Sequence, residues 1–185
     1  MSARFRLERA RRAVTNGGLI AYPTEAVYGL GCDPLNRDAV ARLLAVKRRP
    51  LRKGLIVLAA DLDQLLPLLA PLDPQQIEKL EETWPGPVTW VLPANPATPF
   101  WLTGNRPDLA VRVTDHPLAC ELCAVCGPLV STSANFSGHA PARTALQARL
   151  RLGTAVDVVV PGTVGGLARP TEIRDGRSGR VLRNS

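Results

Sequence analysis

Residues 19–32 read LIAYPTEAVYGLGC. The run Leu19, Ile20, Ala21, Tyr22 is long enough for one buried strand, and Pro23 stops it, because proline cannot donate to a sheet ladder. Thr24 and Glu25 follow at the turn. Val27 and Tyr28 resume the apolar pattern, and Gly29 and Gly31 let the backbone bend or let a ligand approach closely. A hydroxyl, a carboxylate and a phenol are thereby placed around one bend. Either they satisfy turn amides, as polar turn residues commonly do, or they line a site.

About a hundred residues on, residues 129–138 read LVSTSANFSG. An apolar entry is followed by Ser131, Thr132, Ser133, Asn135 and Ser137. Hydroxyls and amides this dense compete for backbone hydrogen bonds and favour a loop over a helix. Such a loop caps a helix or presents neutral donors to an anion. Between the two stretches lie WPGPVT at 84–89 and AVRV at 110–113.

These four ordered segments resemble those of the YrdC/TsaC family, the threonylcarbamoyl-AMP synthases, and the likeness runs from about Arg4 to Val181. The K-x-R-P of Lys47, Arg49 and Pro50 is similar to the family's basic motif, although Lys53-Gly54-Leu55 stands where longer members carry N-P-L. Residues 169–173, RPTEI, resemble the closing P-S-T-I segment, with Thr171 at the hydroxyl position. The resemblance implies an α/β fold, an open twisted mixed β-sheet flanked by helices with a concave basic face. It implies one YrdC-like catalytic domain over residues 1–185, without the second C-terminal domain of longer relatives.

The implied reaction, a nucleotidyl transfer, makes L-threonylcarbamoyl-AMP from L-threonine, bicarbonate and ATP, with release of pyrophosphate. Mg2+ would come with ATP rather than on protein ligands. Positioning and charge stabilisation supply most of the acceleration in such a reaction. By analogy Thr24, Tyr28, Arg112 and Ser133 belong to the threonine site, and Lys47, Arg49, Lys53, Ser131, Ser133 and Asn135 to the ATP site. The product would serve threonylcarbamoyladenosine formation on tRNA, next to the anticodon, through a separate threonylcarbamoyl transferase complex.

Composition is consistent with a globular chain: of 185 residues 45% are hydrophobic and 21% charged, enough for one core. No run approaches the ~18 apolar residues of a membrane span, and the basic N-terminus lacks the apolar region of a signal peptide. The expectation is a cytoplasmic protein without membrane contact. The formal net charge is +7, and all but three of the 23 basic residues are arginine, the residue suited to bidentate phosphate contacts. Aromatic residues are only 4%, which argues against a stacking platform for single-stranded nucleic acid.

Common phosphate cradles and hydrolytic triads are missing from the sequence. There is no G-x-x-x-x-G-K-[ST] and no G-x-G-x-x-G, and the only histidines are His116 and His139, without zinc-ligand spacing. Cys120, Cys123 and Cys126 are spaced like part of an iron–sulfur signature. In a helix they share an arc of roughly 120°, the width of a buried face, so they read as core thiols that bind no metal.

The coarse pattern predicts helices over 5–16, 39–46, 61–69, 74–83 and 144–152, with Asn36, Asp73 and Asp115 as caps. Strands are predicted over 55–59, 88–92, 109–113 and 156–160, with an edge strand at 180–182. Residues 93–106 read as a loop serving as a mobile cover, and residues 47–53 as an exposed basic cluster acting on nucleotide phosphates. Arg112 interrupts an apolar strand, so an anion must meet it. That anion is either a local carboxylate (Glu25, Asp108 or Asp115) or the threonine carboxylate, in a cleft shared with Thr24 and Ser133. A rival reading makes the chain a double-stranded RNA or tRNA-binding module, or a ribosome-assembly factor, with the arginines of 4–12, 48–53 and 143–151 following an A-form backbone.

Overall fold

The computed structural model describes residues 3–184. Along them run α1 (Ala3–Thr15), β1 (Ile20–Pro23), β2 (Tyr28–Gly31), α2 (Arg37–Lys47), β3 (Ile56–Ala59), α3 (Pro74–Glu81) and β4 (Val88–Pro93). Then come α4 (Phe100–Thr103), β5 (Asp108–Val113), α5 (Pro117–Cys126), β6 (Leu129–Ser133), α6 (Ala145–Leu152), β7 (Val158–Val159), β8 (Glu172–Asp175) and β9 (Val181–Arg183). The nine strands form one mixed sheet in the order β7-β1-β2-β6-β3-β5-β4-β8-β9. No helix among the described residues is long and apolar enough to cross a membrane.

Local chemistry accounts for most boundaries. Asn36 caps α2, its side chain accepting the Ala39 N–H at 3.0 Å. Asp73 and Gln76 form a reciprocal capping box, with Pro74 at the first helical position. Three expectations about the course of the backbone fail. Residues 61–69 form turns with one 3₁₀ turn at Leu66–Leu68 instead of an α-helix, because Asp61 and Gln64 bond local backbone amides and Pro67 lacks a donor. His116, not Asp115, caps α5 through its Nδ1, which accepts the Ala119 N–H at 3.3 Å. Residues 93–106 pack against the chain on the side of α2 and do not line the cleft described below: Leu102 is fully buried, its carbonyl accepts the Leu55 N–H, and the Trp101 indole donates to Pro34 O.

β6 joins the two halves of the sheet. Its first residues, Leu129–Ser131 by number 129–131, pair with β3, and Thr132 and Ser133 pair with β2. Alternation along strands assigns Tyr22, Gly29, Ser131, Ser133, Ile56, Leu58 and Arg112 to one face through this register. The opposite face carries Leu30, Val57, Val111 and Val130 into the larger core, under α2, α3, α4 and α6. On the first face α1 and α5 cover Ile20, Tyr22, Leu58 and Leu129 with Ala10, Val14, Ala119, Leu122 and Cys123. Those two helices stop short of Gly29, Ser131, Ser133 and Arg112, and a cleft remains there.

A buried lysine pins the loop that follows β6. The Lys47 ammonium, at the end of α2, donates to Ser133 O at 2.6 Å, Asn135 O at 2.8 Å and Asn135 Oδ1 at 2.6 Å, with Ser133 Oγ at 3.3 Å. Asn135 Nδ2 closes the loop onto the carbonyls of Phe136 and His139. Lys47 is therefore not part of an exposed cluster, in contrast to the expectation: it is 7% exposed. Burial, with a smaller contribution from Arg49, lowers its pKa from 10.5 to about 8.

Between about pH 8 and 10.5 the unfolded chain binds the extra proton, so the stability contributed by this group rises with pH across that window. Lys47→Met leaves three buried carbonyl-type acceptors without their donor and is expected to cost about 2 kcal/mol at neutral pH. Denaturant melts at pH 7.5 and 9.5 check both points: the gap between wild type and variant widens at the higher pH, and a gap that narrows contradicts the assigned burial penalty.

Candidate active site

The cleft has a volume of about 340 Å³. Its floor is Gly29 of β2 with Ser131, Thr132 and Ser133 of β6; Thr24 comes from the turn between β1 and β2, and Arg112 from β5. Arg49 follows α2, Thr171 precedes β8, and Arg183 lies on β9. Of the residues singled out in the sequence, Thr24, Arg49, Arg112, Ser131 and Ser133 line this one cavity. Tyr28, Lys47, Lys53 and Asn135 do not.

Each side chain outside the lining has a visible task or position. The Tyr28 hydroxyl donates to Gly162 O at 2.6 Å and accepts the Gly162 N–H at 3.1 Å, so it anchors the segment that leads to Thr171. Lys47 and Asn135 hold the β6 loop. Lys53 is exposed in the 3₁₀ turn after Pro50. Cys123 is fully buried and its thiol faces Leu58 O at 3.6 Å, while Cys120 and Cys126 are half-buried. Burial pushes the Cys126 thiol up to about 11 and Cys123 higher. Among the described residues no group of three or more His, Cys, Asp or Glu side chains is arranged to hold a metal ion.

Arg112 is 4% exposed and so is Glu25. Arg112 Nη2 lies 3.1 Å from Glu25 Oε2, and Nη1 donates to Thr171 Oγ1 at 2.6 Å. Nε has no hydrogen-bond partner, and Oε2 is close enough for an ion pair without being aligned for a hydrogen bond. Glu25 Oε1 accepts the Thr114 hydroxyl at 2.6 Å. The local carboxylate posed as a partner for Arg112 is thus Glu25, and Arg112 also lines the cleft with Thr24 and Ser133.

The segment 161–171 crosses the Thr24–Glu25 turn. Gly165 N–H donates to Thr24 O and Leu167 N–H to Glu25 O. A Cβ at position 165 would lie 2.9 Å from the Glu25 backbone, so this crossing requires glycine. Arg143 reaches the carbonyls of Leu167 and Ala168, and the His116 ring meets Thr163 O at 2.9 Å. With Nδ1 accepting from Ala119, Nε2 is the ring's donor to that carbonyl.

Arg183 is the lining residue that pattern reading missed, since 180–182 reads only as an edge strand. Its Nη2 donates to Thr171 O at 2.6 Å. Partial burial, then the guanidiniums of Arg112 and Arg49, hold its pKa below the usual arginine value. Burial likewise lowers that of Arg49, which donates to the carbonyls of Lys53 and Gly54. Three guanidiniums on one cavity, with hydroxyls between them, make a site for anions.

The comparisons agree along the whole chain. The model of the Sua5/YciO/YrdC family, described as telomere recombination, matches residues 12–185. The threonylcarbamoyl-AMP synthase of Halorhodospira halophila is 57% identical over 180 residues, 97% of this chain and 94% of its own. That of Pseudomonas aeruginosa is 51% identical over 183 residues, 99% of either chain. Among solved structures, P. abyssi Sua5 complexed with L-threonine superposes with a TM-score of 0.88 at 29% identity over 95% of this chain. The chain spans about half the length of that Sua5, 52%. E. coli YciO gives a TM-score of 0.84 at 26% identity, over 98% of this chain and 89% of its own. By its match over nearly the full length, the chain belongs to the Sua5/YciO/YrdC family.

Proposed function

We propose that this chain is an L-threonylcarbamoyladenylate synthase, a nucleotidyltransferase that joins L-threonine, bicarbonate and ATP. The observation that carries the reading is the likeness, at 51–57% identity over essentially the whole chain, to proteins of that name, together with a cleft built for anions. The threonine amine and bicarbonate form a carbamate with loss of water. A carbamate oxygen then attacks the α-phosphorus of ATP, and the bond to the β,γ-pyrophosphate breaks. No protein nucleophile is needed, and the cleft lining contains none of the cysteines or histidines.

What the chain contributes is placement. Arg112 would bind the threonine carboxylate, with Thr24 and Ser133 completing that side. Ser131 and Ser133 would donate to carbamate and nucleotide oxygens. Arg49 and Arg183 would meet the phosphates, and their guanidiniums offset charge that develops on the leaving pyrophosphate. Lys47 and Asn135 act on nucleotide through the loop they hold, Tyr28 through segment 161–171, and Lys53 from outside the lining. Mg2+ would enter on the triphosphate: Glu25, the carboxylate paired with Arg112, is engaged by Arg112 and Thr114, and Mg2+ commonly binds through phosphates and retained waters.

The product would pass to a threonylcarbamoyl transferase complex acting on tRNA in the cytoplasm. Direct RNA contact would fall to exposed arginines such as Arg4, Arg9 and Arg12 on α1.

Pyrophosphate release measured with single omissions tests the assignment: it requires threonine, bicarbonate and ATP together, and release that persists without threonine or without bicarbonate refutes it. Arg112→Lys keeps the charge but loses the planar fork, so the KM for threonine rises about tenfold with little change in the KM for ATP. An unchanged threonine KM with a sharply lowered Tm would make Arg112 a structural bridge only.

A further inference from the structure

We propose that Glu25 sorts the anions that enter the cleft: it fixes the Arg112 guanidinium and cancels its net charge, so that Arg112 takes a carboxylate while phosphates go to Arg49 and Arg183. This rests on the synthase reading and adds to it the residue that keeps two anionic substrates on their own sides of one cavity.

The three cleft arginines differ in what they touch. Arg49 donates to the carbonyls of Lys53 and Gly54, and Arg183 to the carbonyl of Thr171. These partners are neutral, so both guanidiniums keep their full charge. Arg112 has a carboxylate at 3.1 Å and a neutral hydroxyl at 2.6 Å. The Arg112–Glu25 pair is neutral overall. A highly charged triphosphate gains by lying where positive charge is uncompensated. A single carboxylate gains from a planar fork at hydrogen-bond range even when the fork's field is cancelled farther away. Arg112 lines the cavity and has unused donor capacity, its buried Nε lacking a partner.

Glu25 is held so that it cannot leave this task. Its Oε1 accepts from Thr114, whose Oγ1 accepts the His116 N–H at the start of α5. Its own carbonyl accepts the Leu167 N–H, and the preceding carbonyl the Gly165 N–H. The carboxylate does not line the cavity; it acts through Arg112 and is a positioning residue. A purely structural bridge would need none of this asymmetry among the three arginines.

The test is steady-state pyrophosphate release by the full chain, with threonine varied and inorganic phosphate as the added probe. In Glu25→Gln the KM for threonine rises about tenfold or more, kcat changes less, and inorganic phosphate becomes an inhibitor competitive with threonine, which it is not in the wild type. Glu25→Asp keeps the charge while shortening the reach: its threonine KM rises, and phosphate still fails to compete. If Glu25→Gln does not fold, the Asp variant decides alone, an unchanged threonine KM refuting the positioning role. A folded Gln variant with wild-type threonine KM and no phosphate competition overturns the inference, whatever its Tm. Threonine-independent release by the wild type would instead overturn the synthase reading, and the inference with it.

Discussion

A guanidinium inside a β-sheet has to be met by oxygens, and much of this fold is arranged around meeting one. Arg112 stands near the end of β5, where an aliphatic side chain would pack without cost. Leaving such a charge unpaired would forfeit several kcal/mol. Its partners come from far apart along the chain: Thr171 lies 59 residues on, and Glu25 precedes its other partner, Thr114, by 89. Satisfying Arg112 therefore fixes the β1–β2 turn against β5 and the entry to β8 against both. The same closure sets segment 161–171 across the turn, with Tyr28, Arg143 and His116 each holding part of it.

Why the cleft opens where it does follows from which face two helices cover. α1 and α5 pack one end of a sheet face with alanine, leucine, valine and cysteine side chains. Beyond their reach the same face changes from Tyr22, Leu58 and Leu129 to Gly29, Ser131, Ser133 and Arg112. The two glycines of β2 serve different ends. A Cβ at Gly31 would stand 2.3 Å from Val130 O, so that glycine lets β2 and β6 pair at all. A Cβ at Gly29 would meet the Thr24 methyl group at 3.2 Å and Ser131 Oγ at 3.5 Å, so that glycine keeps the floor of the cavity clear.

The α/β class, the strand-turn-strand at 19–32 and the caps at Asn36 and Asp73 were legible in the sequence because they depend on neighbours within a few residues. So was the membership of Thr24, Ser131, Ser133, Arg49 and Arg112 in one cleft, through motifs whose spacing the fold preserves. What local pattern could not reveal is where long side chains end. Lys47 sits in a run of cations that looks solvated, yet its ammonium is turned into the β6 loop by acceptors 86 and 88 residues away. Arg183 belongs to an edge strand whose neighbours are exposed, and only the pairing of β8 with β4 and β9 carries it to the cleft. Residues 61–69 failed for a different reason: leucine spacing suggested a helix, and local side-chain bonds with Pro67 overrode it.

The positive charges of the site fall into two physical kinds, and the difference explains the residue types. Lys47 is buried among neutral oxygens of one loop, Ser133 O and Oγ and Asn135 O and Oδ1, which a compact ammonium with three donors can meet. Its depressed affinity for the proton is the cost of that position. Arg49, Arg112 and Arg183 instead keep donors at the cavity wall. Burial first, and then the neighbouring guanidiniums of Arg112 and Arg49, hold Arg183 below its usual value. Glu25 and Thr171 support Arg112, backbone carbonyls anchor Arg49 and Arg183, and a lysine clamps the loop that follows β6, so these donors are held in place. Donors fixed in place before a ligand arrives are the form of preorganisation this reaction requires.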